Sequence, residues 1–326
     1  MPSHCAESVE GGELQKISPG TVLLDRYRLT SVLGRGAMGH VWQGHDLRLE
    51  RPVAVKTVAA ELLAVPRSRD EALRRFQREA KAAARLHHPN TTTVFDASIT
   101  DGTCCLVMEL IEGTTLEFLF DQQEDGRFEV PTAAAVAAQL CAGLSAAHAA
   151  GLVHRDLKTQ NVMVRRDGVV KILDFGLVKV LSDTDPRLTM TGESIGNIVC
   201  ASPELLSGQD RLDGRSDLYA VGCLLHHMLT GDTPFPTDQP ALLASHHLAS
   251  PPPAITATDV DVPRPLRDLV TALLAKRPDD RPSSATEVYA ALAPYLPAPD
   301  PKLASRPAVP EDPCRPFLVP QGPSPV

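Results

Sequence analysis

The side chains best suited to chemistry lie in the stretch HRDLKTQN, residues 154–161, and at Asp174, thirteen residues after its last member. A short strand pair between the two would bring them together. Oxygen ligands from Asn161 and Asp174 suit Mg²⁺, which proteins bind through few carboxylates plus phosphate oxygens. Asp156 can orient a substrate hydroxyl and accept its proton, while Lys158 offsets charge on a transferred group. A lone Asp or Asn more often forms a turn or cap, so the combination predicts metal-assisted phosphoryl transfer.

A glycine-rich stretch, LGRGAMGHV at residues 33–41, precedes this cluster. Taken alone, it fits either a dinucleotide-binding turn that opens a helix or an ordinary glycine-rich hairpin. Residues 40–44 are rich in strand formers, which favours a strand-turn-strand hairpin over a helix. Gly34, Gly36 and Gly39 would let its backbone approach a polyphosphate closely, because they have no Cβ.

Lys56 follows Ala54 and Val55 in an apolar strand. A strand Lys usually belongs to a solvated face, so the residue carries little information alone. A helix beginning at Ser68 or Asp70 and running to about Leu86 places Glu79 on its apolar face, since Glu79 shares the helical spacing of the buried positions. A buried carboxylate needs a cation. We therefore expect Glu79 to pair with Lys56 and orient it towards two phosphates.

The elements that must position these residues change character along the chain. Short strand-like runs dominate up to Leu110, and long Ala- and Leu-rich helical stretches follow Gly113. A short boundary between the two parts predicts a hinge with a cleft. Ten of the last thirty residues are Pro, which favours an extended, disordered tail. The expected organisation is a flexible leader (1–20), a strand-rich lobe (about 21–111), a helical lobe (about 112–296) and the tail (297–326).

Composition limits the classes of function. The 326 residues carry a formal net charge of −8, which argues against nucleic acid as a partner. The seven Cys include no CxxC pair, so neither a zinc site nor a disulfide framework is predicted, and a reducing cytoplasm fits best. The longest apolar run, residues 130–153, contains Pro, Gln, Ser and His, which favours a buried helix over a membrane span. Adjacent His pairs are not expected to share a metal, because neighbouring helical side chains diverge by about 100°.

These motifs occur together in one order, and the chain resembles protein kinases. The resemblance covers about residues 27–295 and implies an α+β, two-lobed protein-kinase fold. Lys158 and the stretches FQREAKAAARLHHPN and LVMELIEGTTL are similar to the bacterial eukaryotic-like (Hanks-type) Ser/Thr branch. The motifs that carry it are GxGxxGxV, AVK, the helix Glu, HRDLKxxN, DFG, Ser202-Pro203-Glu204, the stretch 216–222 and Arg281.

The resemblance implies a role for each matching residue. Asp156, Lys158, Lys56 and Glu79 would be catalytic, with Asn161 and Asp174 holding Mg²⁺, or Mn²⁺ in its place. Glu204 would pair with Arg281, and Asp217 would anchor the catalytic-loop backbone. ATP would be bound by the glycine-rich loop, Lys56, the adenine pocket and the hinge: Leu33, Gly34, Arg35, Gly36, Ala37, Met38, Gly39, Val41, Ala54, Met108, Glu109, Ile111 and Met163.

Regulation and substrate recognition follow from the same resemblance. Arg155 would receive a phosphate from Thr189 or Thr191, the expected autophosphorylation sites. Two residues of the substrate loop depart from the family pattern: Asn197 stands where Thr is usual and Cys200 where Tyr is usual. A small buried apolar role for Cys200 is preferred over a redox role. Thr159 also replaces the usual Pro after the catalytic Lys.

The function predicted from sequence is an ATP-dependent Ser/Thr protein kinase. An ATP-binding pseudokinase that serves as a signalling scaffold is the alternative that Asn197 and Cys200 motivate. A small-molecule phosphotransferase fits less well, because the activation segment and the Glu204/Arg281 pair resemble those of protein kinases. Expected partners are protein substrates with Ser/Thr acceptors, phosphothreonine-binding FHA-domain proteins and a second copy of the chain, with neither nucleic acid nor a membrane segment.

Overall fold

The computed structural model describes residues 17–36, 39–58, 66–100, 103–123, 125–175, 195–209, 212–255, 261–300, 302 and 309–319. Within these ranges a strand-rich first part is followed by a mainly helical second part, as the change of sequence pattern predicts.

A six-stranded antiparallel sheet forms the first part. Its spatial order is β1-β2-β3-β4-β6-β5. The turn between β2 and β3 requires glycine at its end: Gly39 has φ +137°, and a Cβ there would lie 1.9 Å from the carbonyl oxygen of Thr57. The strands are β1 (Val22–Leu23), β2 (Tyr27–Gly36), β3 (Gly39–Asp46), β4 (Arg51–Val58), β5 (Val94–Thr100) and β6 (Thr103–Glu109).

Helix α1 (Pro66–Ala83) packs beside this sheet through one apolar face. Phe76 is 1% exposed, and Ala80 and Ala83 are also buried, at the three- and four-residue spacing of a helical stripe. The helix begins before the predicted cap positions. Pro suits the first turn of a helix, because its fixed φ is helical and the missing N–H would have no intrahelical partner.

The second part contains a small antiparallel sheet and nine α-helices among the described residues. Strand β8 lies between β7 and β9 and pairs with both. The elements are β7 (Gly113–Thr115), α2 (Leu116–Asp121), α3 (Val130–Ala149), β8 (Val162–Arg165), β9 (Val170–Ile172), α4 (Ile195–Ile198), α5 (Pro203–Leu206), α6 (Gly214–Thr230), α7 (Pro240–Ala249), α8 (Arg264–Leu273), α9 (Ala285–Leu292) and α10 (Arg315–Leu318).

Helix α3 runs through the centre of the second part. It packs against α6, α9 and β9, and its Ala side chains are small enough to let these neighbours approach. By length and composition it is the one helix in the described ranges that could cross a membrane, but 67% of its most apolar stretch is buried within the protein. The prediction of a buried helix agrees with this packing.

Adjacent His residues make separate contacts. His226 Nδ1 lies 3.0 Å from the carbonyl oxygen of Asp232, whereas the ring of His227 stacks on Phe120 with centroids 4.0 Å apart. Burial lowers the pKa of both imidazoles. Both rings therefore serve packing in this part of the core.

Residues 309–319 of the C-terminal tail differ from the disorder that the composition of the tail predicts. Residues 309–319 contain α10, and Cys314 in this stretch is 9% exposed. The side chain of Phe317 packs against the main hydrophobic core. Proline content alone misses this order, because a few specific contacts with the body of the protein offset the chain entropy of a short segment.

Candidate active site

Asp217 at the start of α6 holds the backbone of the loop that carries Asp156. Its carboxylate oxygens accept hydrogen bonds from the backbone N–H of His154 (2.8 Å) and of Arg155 (2.9 Å). A third contact, 2.8 Å long, joins the carboxylate to Nε2 of His148. Arg155 has φ +63°, a left-handed conformation that is costly for a residue with a Cβ. The anchored carboxylate stabilises this strained turn, which fixes the direction of Asp156.

Asp156 lies within a cluster of polar side chains. The Nδ2 amide of Asn161 donates to the carbonyl oxygen of Asp156 at 2.7 Å and to its Oδ2 at 3.0 Å. Lys158 Nζ is 3.5 Å from the same carboxylate oxygen. A carboxylate fixed in this way can accept a proton from a hydroxyl group, and the adjacent ammonium can stabilise negative charge next to it.

Asp174 follows β9 and projects into the same cleft. Nε2 of His154 lies 2.6 Å from the carbonyl oxygen of the preceding Leu173, so the two loops are joined at this point. Asp174 has φ +51°, another strained left-handed conformation. Its Oδ2 forms an ion pair of 2.9 Å with Lys56 Nζ from β4. The contact connects the two parts of the fold across the cleft.

The oxygen atoms near this cluster fit a divalent cation. Asp174 Oδ1 is buried and has no hydrogen-bond partner among the residues that the structure describes. The amide nitrogen of Asn161 is used in hydrogen bonds, which leaves its oxygen as the group that can bind a metal. One carboxylate and one amide oxygen form a hard donor set of the type that Mg²⁺ prefers. The sequence prediction named these two residues, and the geometry is compatible with it.

Glu79 does not have the partner predicted from sequence. The carboxylate of Glu79 lies 3.8 Å from Arg155 Nη1, and the ion pair that Lys56 forms in the described part of the chain is with Asp174. The expected Lys56–Glu79 pairing is therefore wrong for this conformation. Helical spacing correctly places Glu79 on the inner side of α1. It does not fix how far the helix lies from β4, which decides between Lys56 and Arg155.

Strand register brings the predicted nucleotide-binding residues together. Val41 in β3 lies opposite Gly34 in β2 on one side and Lys56 in β4 on the other. Ala54 in β4 lies opposite Met108 in β6, and both are buried. The glycine-rich hairpin, the Lys-bearing strand and the strand that leads to the hinge are thus three neighbours in one sheet.

The remaining predicted adenine-pocket residues come from both sheets and from the segment that joins them. Met163 in β8 lies opposite Thr115 in β7 and Lys171 in β9, and is half-buried. Ile111, between β6 and β7, is also half-buried, and Leu33 is 51% exposed on β2. Arg35 and Gly36 lie at the end of β2, whereas Ala37 and Met38 lie outside the described residues.

Lys171 is a positioning residue that the sequence reasoning missed. Its Nζ donates to Glu109 Oε1 at 2.7 Å and to the carbonyl oxygen of Thr91 at 3.1 Å. The same Glu109 oxygen accepts the backbone N–H of Thr93 at 2.8 Å. The side chain of the predicted hinge residue is therefore held by the second sheet. A buried Lys in the apolar run 169–173 was the available signal, since such a cation requires a partner.

A small pocket lies beside Asp156. It is lined by the catalytic loop, α4, α5 and α6, and Lys158, Gly196 and Ala220 lie on its walls. Cys200, which also lines it, is half-buried and packs against the main core. Its thiol hydrogen-bonds to Cys223, where burial raises the pKa of the thiol well above its ordinary value. The Asn197 side chain, Thr189 and Thr191 lie outside the described residues.

The wall of this pocket is supported by a buried ion pair. Arg281 donates two hydrogen bonds, of 2.7 and 2.8 Å, to the carboxylate of Glu204 at the start of α5. The side chains are 0% and 5% exposed. Arg281 also donates to the backbone carbonyl oxygens of Arg215, Ala275 and Lys276. The pairing inferred from resemblance is present, and bidentate geometry makes it specific to Arg.

Comparison with known protein families gives one domain over most of the chain. The family described as "Protein kinase domain" matches residues 27–292. The chain is 38% identical over 275 residues to the serine/threonine-protein kinase PknB of Mycolicibacterium smegmatis, covering 83% of this chain and 43% of that protein. It is 37% identical over 289 residues to the serine/threonine-protein kinase pkn3 of Myxococcus xanthus, covering 84% and 50%. The chain thus spans about half the length of these curated relatives.

Solved structures give the same fold. The crystal structure of the PknI kinase domain of Mycobacterium tuberculosis superimposes with a TM-score of 0.66 at 27% sequence identity. The alignment covers 86% of this chain and 98% of that domain. The two-lobed α+β fold predicted from the sequence is confirmed.

Proposed function

The chain belongs to the protein kinase family, in its bacterial serine/threonine branch, and we propose that it transfers the γ-phosphoryl group of ATP to Ser and Thr hydroxyls of proteins. One observation carries the proposal: Lys56, Asp174, Asn161 and Asp156 converge on one cleft from both lobes. Membership of the family implies the use of ATP and a divalent metal. We take that metal to be Mg²⁺, with Mn²⁺ as a substitute, because the donors are one carboxylate and one amide oxygen.

Each residue of the proposed active site has a separate role in the transfer. Lys56 holds phosphate oxygens, and Asn161 and Asp174 hold the cation, which when bound offsets the negative charge of the phosphates. Asp156 orients the acceptor hydroxyl and accepts its proton. Lys158, 3.5 Å from that carboxylate, stabilises charge on the phosphoryl group during transfer. The proposed kinase domain extends over about residues 21–296.

The direct test is transfer of labelled phosphate from ATP to a generic basic protein with Mg²⁺. Asp156→Asn keeps the shape of the side chain and removes the base, so activity should fall by about 10²–10⁴-fold. Asp268→Asn, at a 71% exposed carboxylate on α8, is the matched control and should retain full activity. An active Asp156→Asn chain would contradict the role of this residue. Equal silence of wild type and mutant would favour the pseudokinase scaffold.

The metal assignment has its own test. Asp174→Asn should raise the Mg²⁺ concentration needed for half-maximal transfer, since the buried oxygen without a partner loses its charge. Nucleotide binding followed by fluorescence, with Mg²⁺, Mn²⁺ or a chelator, separates metal binding from catalysis. An unchanged Mg²⁺ requirement in the Asp174→Asn chain would contradict the assignment.

Autophosphorylation at Thr189 or Thr191 is the proposed route of activation. Arg155 supports it, because its Nε atom is buried without a hydrogen-bond partner among the described residues and can bind a further anion. A Thr189→Ala/Thr191→Ala chain should lose most of its activity, and mass spectrometry of the wild type should find phosphate at one or both sites. Thr271→Ala, at an exposed site on α8, is the control. Full activity of the double mutant, with neither Thr modified in wild type, would refute the proposal.

Protein substrates follow from the family, and the finer partner proposals rest on resemblance. We propose phosphothreonine-binding FHA-domain proteins as readers of the phosphorylated chain, homodimerisation, and a cytoplasmic location. Binding of an FHA domain should require phosphorylated Thr189 or Thr191, which calorimetry with and without phosphatase treatment measures. Light scattering over a concentration series measures dimerisation.

A further inference from the structure

The C-terminal segment 309–319 lies in direct contact with the turn between β8 and β9. The backbone N–H of Glu311 donates to the carbonyl oxygen of Arg166 at 3.2 Å. At Gly168, a Cβ would lie only 2.0 Å from the carbonyl oxygen of Asp312. The segment can therefore lie this close to the turn only because Gly168 has no side chain.

One side chain of the segment, Cys314, is buried beside this contact, and Phe317 is half-buried. Cys314 is 9% exposed, and its Sγ lies 3.6 Å from Thr132 Oγ1 near the start of α3. Phe317 packs against the main core, and the carbonyl oxygen of Leu318 accepts the backbone N–H of Asp300 at 2.8 Å. The segment thus has a buried anchor as well as backbone hydrogen bonds.

Gln139 connects the segment to the interior. It is 5% exposed within the Ala-rich α3. Its Nε2 donates to the carbonyl oxygens of Pro313 (3.1 Å) and Gly168 (3.2 Å). Its Oε1 accepts from Asn90 Nδ2 and from the backbone N–H of Val170, both at 2.9 Å. The tail therefore supplies one of the four partners of this buried amide, and removing it leaves a buried donor unsatisfied.

The same network reaches the strand that carries the candidate metal ligand. The carbonyl oxygen of Asn90 accepts the backbone N–H of Ile172 at 2.9 Å, and the N–H of Thr92 donates to the carbonyl oxygen of Ile172 at 3.0 Å. Asp174 follows Ile172 by two residues. A continuous series of hydrogen bonds thus joins the tail, through Gln139 and Asn90, to the end of β9.

We propose that residues 309–319 are a cis-docking segment for a rear-face site formed by α3 and the β8–β9 turn, and that docking holds β9 in the position required for phosphoryl transfer. The occupant is this chain's own tail, because its backbone already pairs with Arg166 and Gln139 and the side chain of Cys314 contacts Thr132. The proposal rests on the proposed kinase activity and adds to it a surface outside the catalytic cleft on which that activity depends.

The test uses the full chain with charges placed at the two anchor positions. Cys314→Asp/Phe317→Asp should expel the segment, because a carboxylate at 314 would be buried without a cation and one at 317 would replace an apolar contact with the core. Val309→Asp is the matched control in the same tail, at a 68% exposed position. Hydrogen exchange read by mass spectrometry should become about tenfold faster in residues 166–170 and 87–92 of the double variant. Exchange in α6 should stay unchanged, which distinguishes undocking from global unfolding.

Activity provides the second measurement. The double variant should lose at least about threefold in kcat with little change in KM for the protein substrate, because β9 carries a metal ligand and not a substrate contact. The Val309→Asp chain should match wild type. Unchanged exchange at residues 166–170, or full kcat despite faster exchange there, would overturn the proposal. A wild-type dimer that becomes a monomer in the double variant would overturn the cis assignment, because the tails would then be exchanged between two chains.

A double-mutant cycle covers the case in which the charged variant folds poorly. Gly168→Ala carries two costs, the strain of φ +85° and the clash with the Asp312 carbonyl oxygen. Only the second depends on the tail. The loss in unfolding midpoint caused by Gly168→Ala should therefore be smaller in a Phe317→Ala background than in wild type. Additive losses would show that the tail does not lie on the turn in solution.

If the activity test fails for every variant including wild type, the proposed kinase function fails while the exchange experiment still decides on docking. If wild type is active and hydrogen exchange in residues 166–170 becomes faster in the double variant, the kcat of that variant decides whether docking supports activity. The failure of one is thus distinguishable from the failure of the other.

Discussion

Below about pH 6.5, protonation of His247 should destabilise the folded protein. The imidazole lies in α7 with the residue 0% exposed, and its Nδ1 is 2.8 Å from the hydroxyl oxygen of Tyr219. Burial lowers its pKa from 6.5 to about 4, and the nearby Lys276 ammonium contributes in the same direction. The folded state therefore binds the proton more weakly than the unfolded state does.

The sign and size follow from that difference. A folded-state pKa below the unfolded value means that the stabilisation is fully present above pH 6.5 and is lost as the pH falls from 6.5 towards 4. Across this window the loss amounts to about 3 kcal/mol, with a slope near 1.4 kcal/mol per pH unit where only the unfolded state is protonated.

Urea unfolding at a series of pH values from about 4 to about 8 measures this slope. The Gln side chain of His247→Gln does not titrate, so the free energy of unfolding of this variant should fall less steeply below pH 6.5 than that of wild type. The two slopes should differ by the contribution of one proton, about 1.4 kcal/mol per pH unit. His87→Gln, at an exposed position after α1, should keep the wild-type slope. Burial also lowers the pKa values of His226 and His227, but these residues are common to all three chains and cancel. Equal slopes for wild type and His247→Gln would refute the reasoning.

Three further predictions concern packing and burial. Arg281→Met should lower the free energy of unfolding by about 3–5 kcal/mol, because Glu204 stays buried without a cation. Urea unfolding measures the change, and a loss below about 1 kcal/mol would contradict the buried pair. Gly113→Ala should lower it by about 1–3 kcal/mol, since the new Cβ would lie 2.2 Å from the carbonyl oxygen of Val164; an unchanged thermal midpoint would show that β7 and β8 lie further apart. Burial raises the pKa of the Cys141 thiol to about 12, so iodoacetamide should label it in urea and not in the native chain; rapid native labelling would contradict its burial.

Local pattern predicted the elements and the motif positions because both depend on short-range chemistry. The glycine-rich hairpin forms where strand formers follow Gly39, and its register with β4 places Val41 opposite Lys56. The 3.6-residue period placed Glu79 on the inner face of α1. Such features are decided within a few residues of chain and are therefore visible in the sequence.

The partner of Glu79 could not be predicted in this way. The structure pairs Glu79 with Arg155 and Lys56 with Asp174, and this choice depends on the position of a helix that packs through an apolar stripe. Sequence spacing contains no information on the distance between α1 and β4, and Arg155 was not predicted as a partner of Glu79.

Lys171 and Gln139 were missed for another reason. Each is a buried polar residue inside a largely apolar element, and each is satisfied by groups distant in sequence, such as Glu109 and Pro313. A polar residue in an apolar run shows that a partner must exist. It does not show which one, so the hinge contact and the tail contact both required the structure.

Gly168 makes the sequence of the β8–β9 turn depend on the presence of the C-terminal segment 309–319. In this protein a side chain at that turn would collide with Asp312, so the position is restricted for as long as the tail is docked. A relative without the tail would escape this restriction, and its turn could accept Asn or Asp, which also tolerate a positive φ. Loss of the tail and loss of this glycine should therefore occur together in evolution, while glycines required by the catalytic cleft persist in either case.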